Sequence, residues 1–233
     1  MPNPEPRFSR IAAMLADPTR ARMLAALVGG EHRSAGELAA AAGVTPQAAS
    51  TQLAQLLDNA LVAVRQQGRH KYFALADADV AHALEALSLV AERDGVSTRW
   101  ERPHYKPLKC ARRCYGHMAG ELGVAQFAML VRSGYLQPAV QGMALSEAGQ
   151  AWAQQLGLRL PAKTAARFAY PCMDWSERKD HLAGTLAKVL LEHYLAKNWL
   201  RAEPDSRALH ITALGQRELL PLLEASNLSS QAF

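Results

Sequence analysis

Two helix-start signals on either side of a glycine turn constrain the fold of this 233-residue chain most strongly. Ser34, with an acidic residue at the capping-box offset, predicts a short helix over residues 35–42. Thr45, followed by a proline that suits the first helical turn, predicts a second helix over residues 46–59. Gly43 supplies the turn between them. Two helices joined in this way predict a helix-turn-helix.

The flanking sequence predicts further helices and a β-hairpin. An apolar stripe predicts a helix over residues 8–16, and Asp17 before a proline starts the next helix. Residues 62–65 and 70–75 are short β-rich stretches around a glycine turn, which is typical of a hairpin. Asp77 starts a last long helix. This order of elements predicts a winged helix-turn-helix domain.

Three stretches in this order resemble the ArsR/SmtB family of transcriptional repressors. They are DPTRARML at 17–24, TPQAASTQLAQL at 45–56, and NALV followed by RQQGRHKY within 59–72. The resemblance covers roughly residues 8–92. It implies a winged helix-turn-helix repressor that binds a double-stranded DNA operator as a homodimer.

The residues predicted to contact DNA lie on the second helix of the pair and on the hairpin. Glutamine side chains can make paired hydrogen bonds to adenine, and hydroxyl and basic side chains can bond to phosphates or base edges. The candidates are Thr45, Gln47, Ser50, Thr51, Gln52, Gln55, Arg65, Arg69, His70 and Lys71. We also expect Arg20 and Arg22 to be able to contact the DNA backbone.

The charge distribution gives only weak support for DNA binding. The formal net charge of +5 favours an acidic partner, but residues 1–98 carry nine Lys/Arg and ten Asp/Glu. Six basic residues and one acidic residue fall within residues 99–113 instead. The prediction of DNA binding therefore depends on the motif, and we expect few phosphate contacts per subunit.

Apolar side chains on the two end helices, over residues 8–16 and 77–92, exceed what a small core needs. We expect these helices to form much of the dimer interface. The residues concerned on the last helix are Val80, Leu84, Leu87, Leu89 and Val90.

The composition excludes several classes of protein. A hydrophobic content of 49% and a charged content of 20% are typical of a soluble globular protein. No apolar run approaches the ~20 residues that span a bilayer, and the N-terminus has no signal-peptide pattern. The odd number of three cysteines argues against a secreted disulfide framework. We expect a cytoplasmic protein with no membrane partner and no cofactor and, because no catalytic motif is present, no enzyme activity.

The chain beyond the winged domain contains an internal repeat. His117-Met118-Ala119-Gly120 recurs as His181-Leu182-Ala183-Gly184, Tyr135-Leu136 as Trp199-Leu200, and Leu145 to Gln150 as Ile211 to Gln216. Each copy is predicted as a long helix, a short hairpin and a helix capped by Ser146 or Thr212. An extension containing H-x-A-G is similar to that of some ArsR-family proteins, which implies that it binds an effector.

These observations predict a mainly α fold with short β-hairpins (α+β). Residues 1–95 form the winged helix-turn-helix DNA-binding and dimerisation domain, and residues 96–108 form a basic connector. Residues 109–233 form an effector-binding domain of two winged-helix-like repeats, at about 110–160 and 174–225.

Two groups of residues are candidates for the effector site. Aromatic and charged residues between the two copies could wall a flat organic ligand, and cysteines and histidines provide polar or soft ligand atoms. The candidates are Cys114, His117, Phe168, Tyr170, Cys172, Trp175, Arg178 and His181. The leading hypothesis is a repressor that senses a small organic molecule.

The cysteines allow other interpretations. Cys110, Cys114 and His117 have the spacing of one helix face, and together with Cys172 they could hold a soft metal or metalloid. Basic neighbours also favour a thiol redox switch, while buried structural cysteines would form no site. We predict no metal. A metal-, metalloid- or thiol-redox-responsive repressor using the three cysteines is the alternative, and a constitutive architectural DNA-binding protein without effector is another.

Overall fold

The computed structural model describes residues 8–91, 106–161, 167–204 and 206–224. The described residues fall into two compact units, one ending at Leu84 and the other starting at Glu85. Most of the predicted connector, residues 96–105, lies outside the described residues. The predicted domain boundaries therefore stay predictions.

The first unit combines helices with a small antiparallel sheet. Its helices are α1 (Phe8–Leu15), α2 (Pro18–Leu27), α3 (Ala35–Ala42) and α4 (Pro46–Asp58), and α5 (Ala78–Ala91) begins in this unit. Its strands are β1 (Arg33–Ser34), β2 (Val62–Gln67) and β3 (His70–Leu75), in the order β1-β3-β2. The predicted winged helix-turn-helix is confirmed.

Local capping explains where these helices begin. The Asp17 carboxylate accepts the first free amides of α2, at 2.9 Å from the nitrogens of Thr19 and Arg20. Ser34 and Glu37 form the predicted reciprocal capping box at the start of α3. Gly43, with a φ of +68°, then ends α3 in the left-handed conformation that glycine adopts without strain.

The core of the first unit fixes the orientation of α4. Met23, Leu24 and Leu38 of α2 and α3 are buried, and so are Leu53 and Leu56 of α4. Because these two leucines lie three residues apart, one side of α4 packs on the core and its opposite side faces outward.

The second unit contains two copies of one arrangement, hairpin–helix–hairpin–helix, preceded by the short helix α6 (Lys106–Cys110). The first copy has β4 (Arg112–Cys114), β5 (His117–Ala119), α7 (Glu121–Arg132), β6 (Leu136–Pro138), β7 (Met143–Leu145) and α8 (Glu147–Gln155). The second has β8 (Tyr170–Met173), β9 (Asp180–Ala183), α9 (Thr185–Ala196), β10 (Leu200–Ala202), β11 (Leu209–Ile211) and α10 (Ala213–Glu224). No described helix has the length and apolar character needed to cross a membrane.

The start of each copy differs from the prediction. A long helix was predicted at the start of each copy, but each copy begins with a hairpin, so that prediction is wrong. In the first copy Tyr115 and Gly116 have φ values of +48° and +87°, which reverse the chain and exclude a continuous helix. The second copy begins at Tyr170, before the expected residue 174. The likeness of each copy to a winged helix stays a prediction.

The two copies pack reciprocally. The amide of Met143 donates to the carbonyl of Ala169 at 2.7 Å, and the equivalent amide of Leu209 donates to the carbonyl of Ala111 at 2.9 Å. One hydrophobic core, which includes Leu130 and Leu190, extends through both copies. The repeat is therefore a single pseudo-symmetric body in which each copy completes the other.

Candidate DNA interface and a buried cysteine–histidine cluster

The outward face of α4 carries a row of small and polar side chains. Gln47, Ser50 and Thr51 are exposed, and so is Thr45, whose hydroxyl caps the helix by accepting from the Ala48 amide at 3.2 Å. The hydroxyls of Ser50 and Thr51 donate to helix carbonyls at 2.9 and 3.3 Å, which leaves their oxygens able to accept. This face can offer both donors and acceptors to a partner.

Arg20 of α2 donates hydrogen bonds to two side chains on one side of α4. Its guanidinium donates to the side-chain oxygens of Gln52 and Gln55 at 2.7 and 2.6 Å and to the carbonyl of Met14 at 2.8 Å. Both glutamines are half-buried, and their amide nitrogens remain donors. Arg22 likewise donates to a carbonyl of α3 at 2.7 Å. Both arginines that we expected at the DNA backbone thus bond within the protein.

The hairpin of β2 and β3 presents basic side chains. Arg65, Arg69, His70 and Lys71 are all exposed, and a two-residue turn at Gly68 and Arg69 joins the strands. Gly68 has a φ of +59°, which the turn requires. Positive charge is therefore concentrated at the tip of the wing.

The predicted dimer residues are only partly covered within one chain. None of the α1 side chains is buried. On α5, Leu87 and Val90 are 49% and 50% exposed, while Val80 and Leu84 are half-buried. The side chain of Leu89 lies outside the described residues.

The second unit brings together two cysteines and two histidines, one pair from each copy. Cys114 and His117 are cross-strand partners in the β4–β5 hairpin. Cys172 and His181 are cross-strand partners at the equivalent place in the β8–β9 hairpin. All four residues are buried, and one ligand atom from each lies within 4.8 Å of the others. The two imidazole centroids are 5.1 Å apart.

This cluster corrects the predicted grouping. Cys110 ends α6, is half-buried and does not belong to the cluster. Its expected neighbours on one helix face lie on a hairpin instead. In the second copy Cys172 precedes His181 by a long loop, so a fixed sequence offset had placed Arg178 where the matching cysteine was expected. The signal that was missed is one cysteine followed by one histidine in each copy.

Asp174 connects the cluster to the backbone of the other copy. Its carboxylate accepts from the Gly120 amide at 2.6 Å and from Nη2 of Arg112 at 2.9 Å, and it lies 3.2 Å from Nδ1 of His181. It also accepts from the amide and hydroxyl of Ser176 at 3.0 and 2.8 Å. Asp174 thus joins the two copies at a buried position.

A second carboxylate completes the charge network. Glu85 of α5 lies 2.7 Å from Nη1 of Arg207 and 3.8 Å from Nη2 of Arg112. Arg112 is fully buried, and its guanidinium carbon lies 4.5 Å from the ring centre of Trp175. The described network thus pairs two carboxylates with two guanidinium groups.

The network shifts the pKa values of its members. Burial alone would raise the pKa of the Asp174 carboxyl, but interaction with His181 and the charge of Arg112 hold it well below its usual range. Burial alone would lower the pKa of His181, yet interactions with Asp174 and Cys172 raise that pKa to about 9. The hydrogen bond with Cys172, together with burial, raises the pKa of the Cys114 thiol.

The aromatic and arginine candidates for the effector site have different surroundings in the second unit. Tyr170 packs against the two clustered cysteines, and Phe168 packs against the hydrophobic core of the repeat. Trp175 is buried beneath the Arg112 guanidinium, and Arg178 is exposed. The set stays a prediction as an organic-ligand site.

The buried cluster offers a specific chemistry. Two thiols and two imidazoles form a donor set for zinc and other soft or borderline metal ions. The two thiols also interact with each other, so oxidation to a disulfide is the competing reaction. Cys114, His117, Cys172 and His181 are the described residues that could hold a metal.

Comparison with known proteins gives matches over the first unit and, for one relative, over most of the chain. A family model described as a helix-turn-helix domain matches residues 15–65. The uncharacterized HTH-type transcriptional regulator YdfF of Bacillus subtilis is 37% identical over 213 residues, which are 91% of this chain and 94% of YdfF. The HTH-type transcriptional regulator CmtR of Mycobacterium tuberculosis is 41% identical over 83 residues, 36% of this chain and 70% of CmtR. An NMR structure of the cadmium metal-sensor CMTR from M. tuberculosis is similar over 34% of this chain and 81% of its own, with a TM-score of 0.31.

Proposed function

Because the chain belongs to the ArsR/SmtB family of helix-turn-helix transcriptional regulators, we propose that it binds its operator as a homodimer and responds to an effector through its second unit. In this proposal α4 enters the major groove of each half-site. The observation that carries it is the exposed polar face of α4, whose opposite face is fixed in the core.

Base recognition is assigned to the part of α4 that is free of core packing. Gln47, Ser50 and Thr51 are exposed near the N-terminal end of the helix, the end that recognition helices direct toward base edges. Gln52 and Gln55 have a different role, because Arg20 occupies their oxygens and thereby holds the helix in place. Their amide groups can still donate to an acceptor on DNA.

The wing provides the phosphate contacts. Arg65, Arg69 and Lys71 project from a hairpin with only a two-residue turn, and His70 lies between two of them. Each phosphate that such a side chain neutralises contributes about −0.9 to the slope of log K against log salt. Because positive and negative charges nearly balance over residues 1–98, we expect a shallow slope of log K against log salt for each subunit.

The dimer is assigned to the exposed apolar residues of the end helices. Phe8 is 68% exposed, and Leu87 and Val90 are each about half exposed. Apolar surface of this kind on a regulator that reads two half-sites is best explained by a second copy of the chain.

The effector response is assigned to the repeat. Glu85 lies on α5, the helix that starts in the first unit and continues into the second, and it is ion-paired with Arg112 and Arg207. An effector that changes these buried pairs would act directly on α5. To regulate, it must bind the DNA-competent and DNA-incompetent states with different free energies.

Alanine substitutions on α4 and the wing test the proposal. Fluorescence anisotropy would measure binding of the full chain to duplex DNA from the promoter of its own gene. We expect Gln47→Ala, Ser50→Ala and Arg69→Ala each to weaken binding about 5- to 100-fold, as lost base or phosphate contacts do. Arg69→Ala should also reduce the salt slope by about 0.9.

Arg132→Ala is the matched control, since it removes the same charge from an exposed position on α7. Its affinity and salt slope should equal those of the wild type. Wild-type affinity in all three interface variants would contradict the DNA-binding assignment. Operator binding that no ligand, metal ion or oxidant alters would favour a constitutive architectural protein.

A further inference from the structure

We propose that Cys114, His117, Cys172 and His181 bind one zinc-class divalent ion in a closed tetrahedral site that joins the two copies of the repeat. This site lies within the second unit, whereas the helix-turn-helix belongs to the first. Its existence does not require DNA binding. Only its role as the effector site rests on the proposed function.

The positions of the four side chains in the two hairpins support a metal site. In an antiparallel pair, residues directly opposite each other direct their side chains to the same face of the hairpin. Cys114 and His117 are opposite in one hairpin, and Cys172 and His181 are opposite in the other. Each hairpin therefore supplies one sulfur and one nitrogen, and pseudo-symmetry brings the two pairs together.

The distances are close to those that the ion requires. Zinc binds sulfur at about 2.3 Å and imidazole nitrogen at about 2.0–2.1 Å, which places tetrahedral ligand atoms roughly 3.3–3.8 Å apart. The four atoms here lie within 4.8 Å of one another. Small rotations of side chains, of about 1 Å at their ends, close the remaining gap.

Asp174 supplies the outer support typical of a metal-binding histidine. A histidine ligand usually directs its second ring nitrogen at a carboxylate, which fixes the ring orientation. The Asp174 carboxylate lies 3.2 Å from Nδ1 of His181 and is itself held by Gly120 and Arg112. Nε2 of His181 is then the ligand atom.

The surrounding charge suits a divalent ion with two thiolates. Glu85 and Asp174 are already paired with Arg112 and Arg207. A divalent ion bound by the thiolates of Cys114 and Cys172 and by two neutral imidazoles forms a group of zero net charge, and the protons that it displaces from the ligands pass to solvent. The bound group therefore avoids the cost of an uncompensated buried charge. A hard ion such as Mg²⁺ prefers oxygen ligands, so a set of two sulfurs and two imidazole nitrogens does not suit it.

Occupancy would also constrain α5. The ligand His181 contacts Asp174, Asp174 binds Arg112, and Arg112 lies beside Glu85 of α5. A bound ion fixes the first member of this series and so favours one arrangement of the rest. This step rests on the proposed function, whereas ion binding itself does not.

Cobalt titration of the full-length, reduced and metal-free protein tests the site. Co²⁺ substitutes for Zn²⁺ and absorbs visibly in a tetrahedral, thiolate-containing site. We expect one Co²⁺ per chain, a thiolate-to-cobalt charge-transfer band, and displacement by one equivalent of Zn²⁺. Cys172→Ser should weaken binding more than about 100-fold, since outer-shell changes alone cost 10–100-fold.

Cys110→Ser is the matched control because Cys110 lies outside the cluster, and it should bind cobalt like the wild type. If Cys172→Ser does not fold, alkylation of the wild-type protein replaces it. In mild denaturant, which exposes the buried thiols of the metal-free chain, Zn²⁺ should then slow alkylation of Cys114 and Cys172 and leave that of Cys110 unchanged; equal rates with and without Zn²⁺ would overturn the site.

Two results would overturn the metal site: no cobalt uptake by folded, reduced protein, or equal uptake by Cys172→Ser. Anisotropy on the same preparations separates the two proposals. Operator binding without ion uptake would refute only the metal site, and ion uptake with operator binding in neither the metal-free nor the metal-loaded form would refute only the DNA-binding proposal.

Discussion

The two units differ in whether their candidate polar side chains are exposed or buried. In the first unit the candidate residues, such as Ser50 and Arg69, are exposed on α4 and the hairpin. In the second, Arg112, Asp174 and His181 are all completely buried. The exposed side chains of the first unit can meet an external partner, whereas these buried groups of the second unit pair with one another.

The difference has an energetic consequence. An exposed side chain that loses a partner is solvated by water, so its removal costs little stability. A buried charge that loses its partner has no water to replace it, and breaking such a pair costs about 3–5 kcal/mol. Mutations should therefore separate by unit into those that change binding and those that change folding.

The largest expected effect is that of Asp174→Ala. It leaves Arg112 and His181 without their shared carboxylate and removes the acceptor of the Gly120 amide. We expect the free energy of unfolding of the second unit to fall by about 3–5 kcal/mol. Asp58→Ala, at an exposed position on α4, is the matched control and should cost less than about 0.5 kcal/mol.

Tryptophan fluorescence during denaturation reports on the second unit, because Trp100, Trp152, Trp175 and Trp199 all follow residue 84. Equal unfolding midpoints for Asp174→Ala and Asp58→Ala would contradict the proposal that removing a buried charge in the second unit costs more stability than removing an exposed one in the first.

A smaller effect is expected from the helix caps, which occur in both units. Thr45→Ala and Ser146→Ala each remove a hydroxyl that accepts a helix amide, at 3.2 and 3.0 Å, and each should cost about 1 kcal/mol. Ser146 also donates to the Gly134 carbonyl at 2.6 Å, so its loss should be the larger of the two.

Operator affinity distinguishes these two variants, because only Thr45 begins the proposed recognition helix. Hydrogen exchange of the α4 and α8 amides would measure the local destabilisation, and anisotropy the binding. A loss of operator affinity in Ser146→Ala equal to that in Thr45→Ala would contradict the division of roles.

Local signals predicted the first unit well. The caps at Asp17, Ser34 and Thr45 lie within three residues of the amides they bind, so sequence alone located these helix starts. The two-residue strand β1 was not predicted, because it forms only by pairing with β3. The role of Arg20 was also missed, since its glutamine partners are more than thirty residues away in sequence.

The second unit shows why the rest could not be predicted. The internal repeat was visible, but the two hairpins have loops of different length, which hid the equivalence of Cys114 and Cys172. Asp174 and Glu85 looked like ordinary polar residues until the fold brought Arg112 and Arg207 to them. Buried polar sites depend on distant pairings that local patterns do not contain.

Hydrogen–deuterium exchange of the full chain, with and without duplex DNA from the promoter of its own gene, tests the central claim most directly. We expect DNA to slow exchange in α4 (Pro46–Asp58) and in the wing strands β2 and β3, while exchange in the helices and strands of the repeat is the same in both samples. Protection by DNA confined to the repeat, with α4 and the wing unchanged, would contradict it.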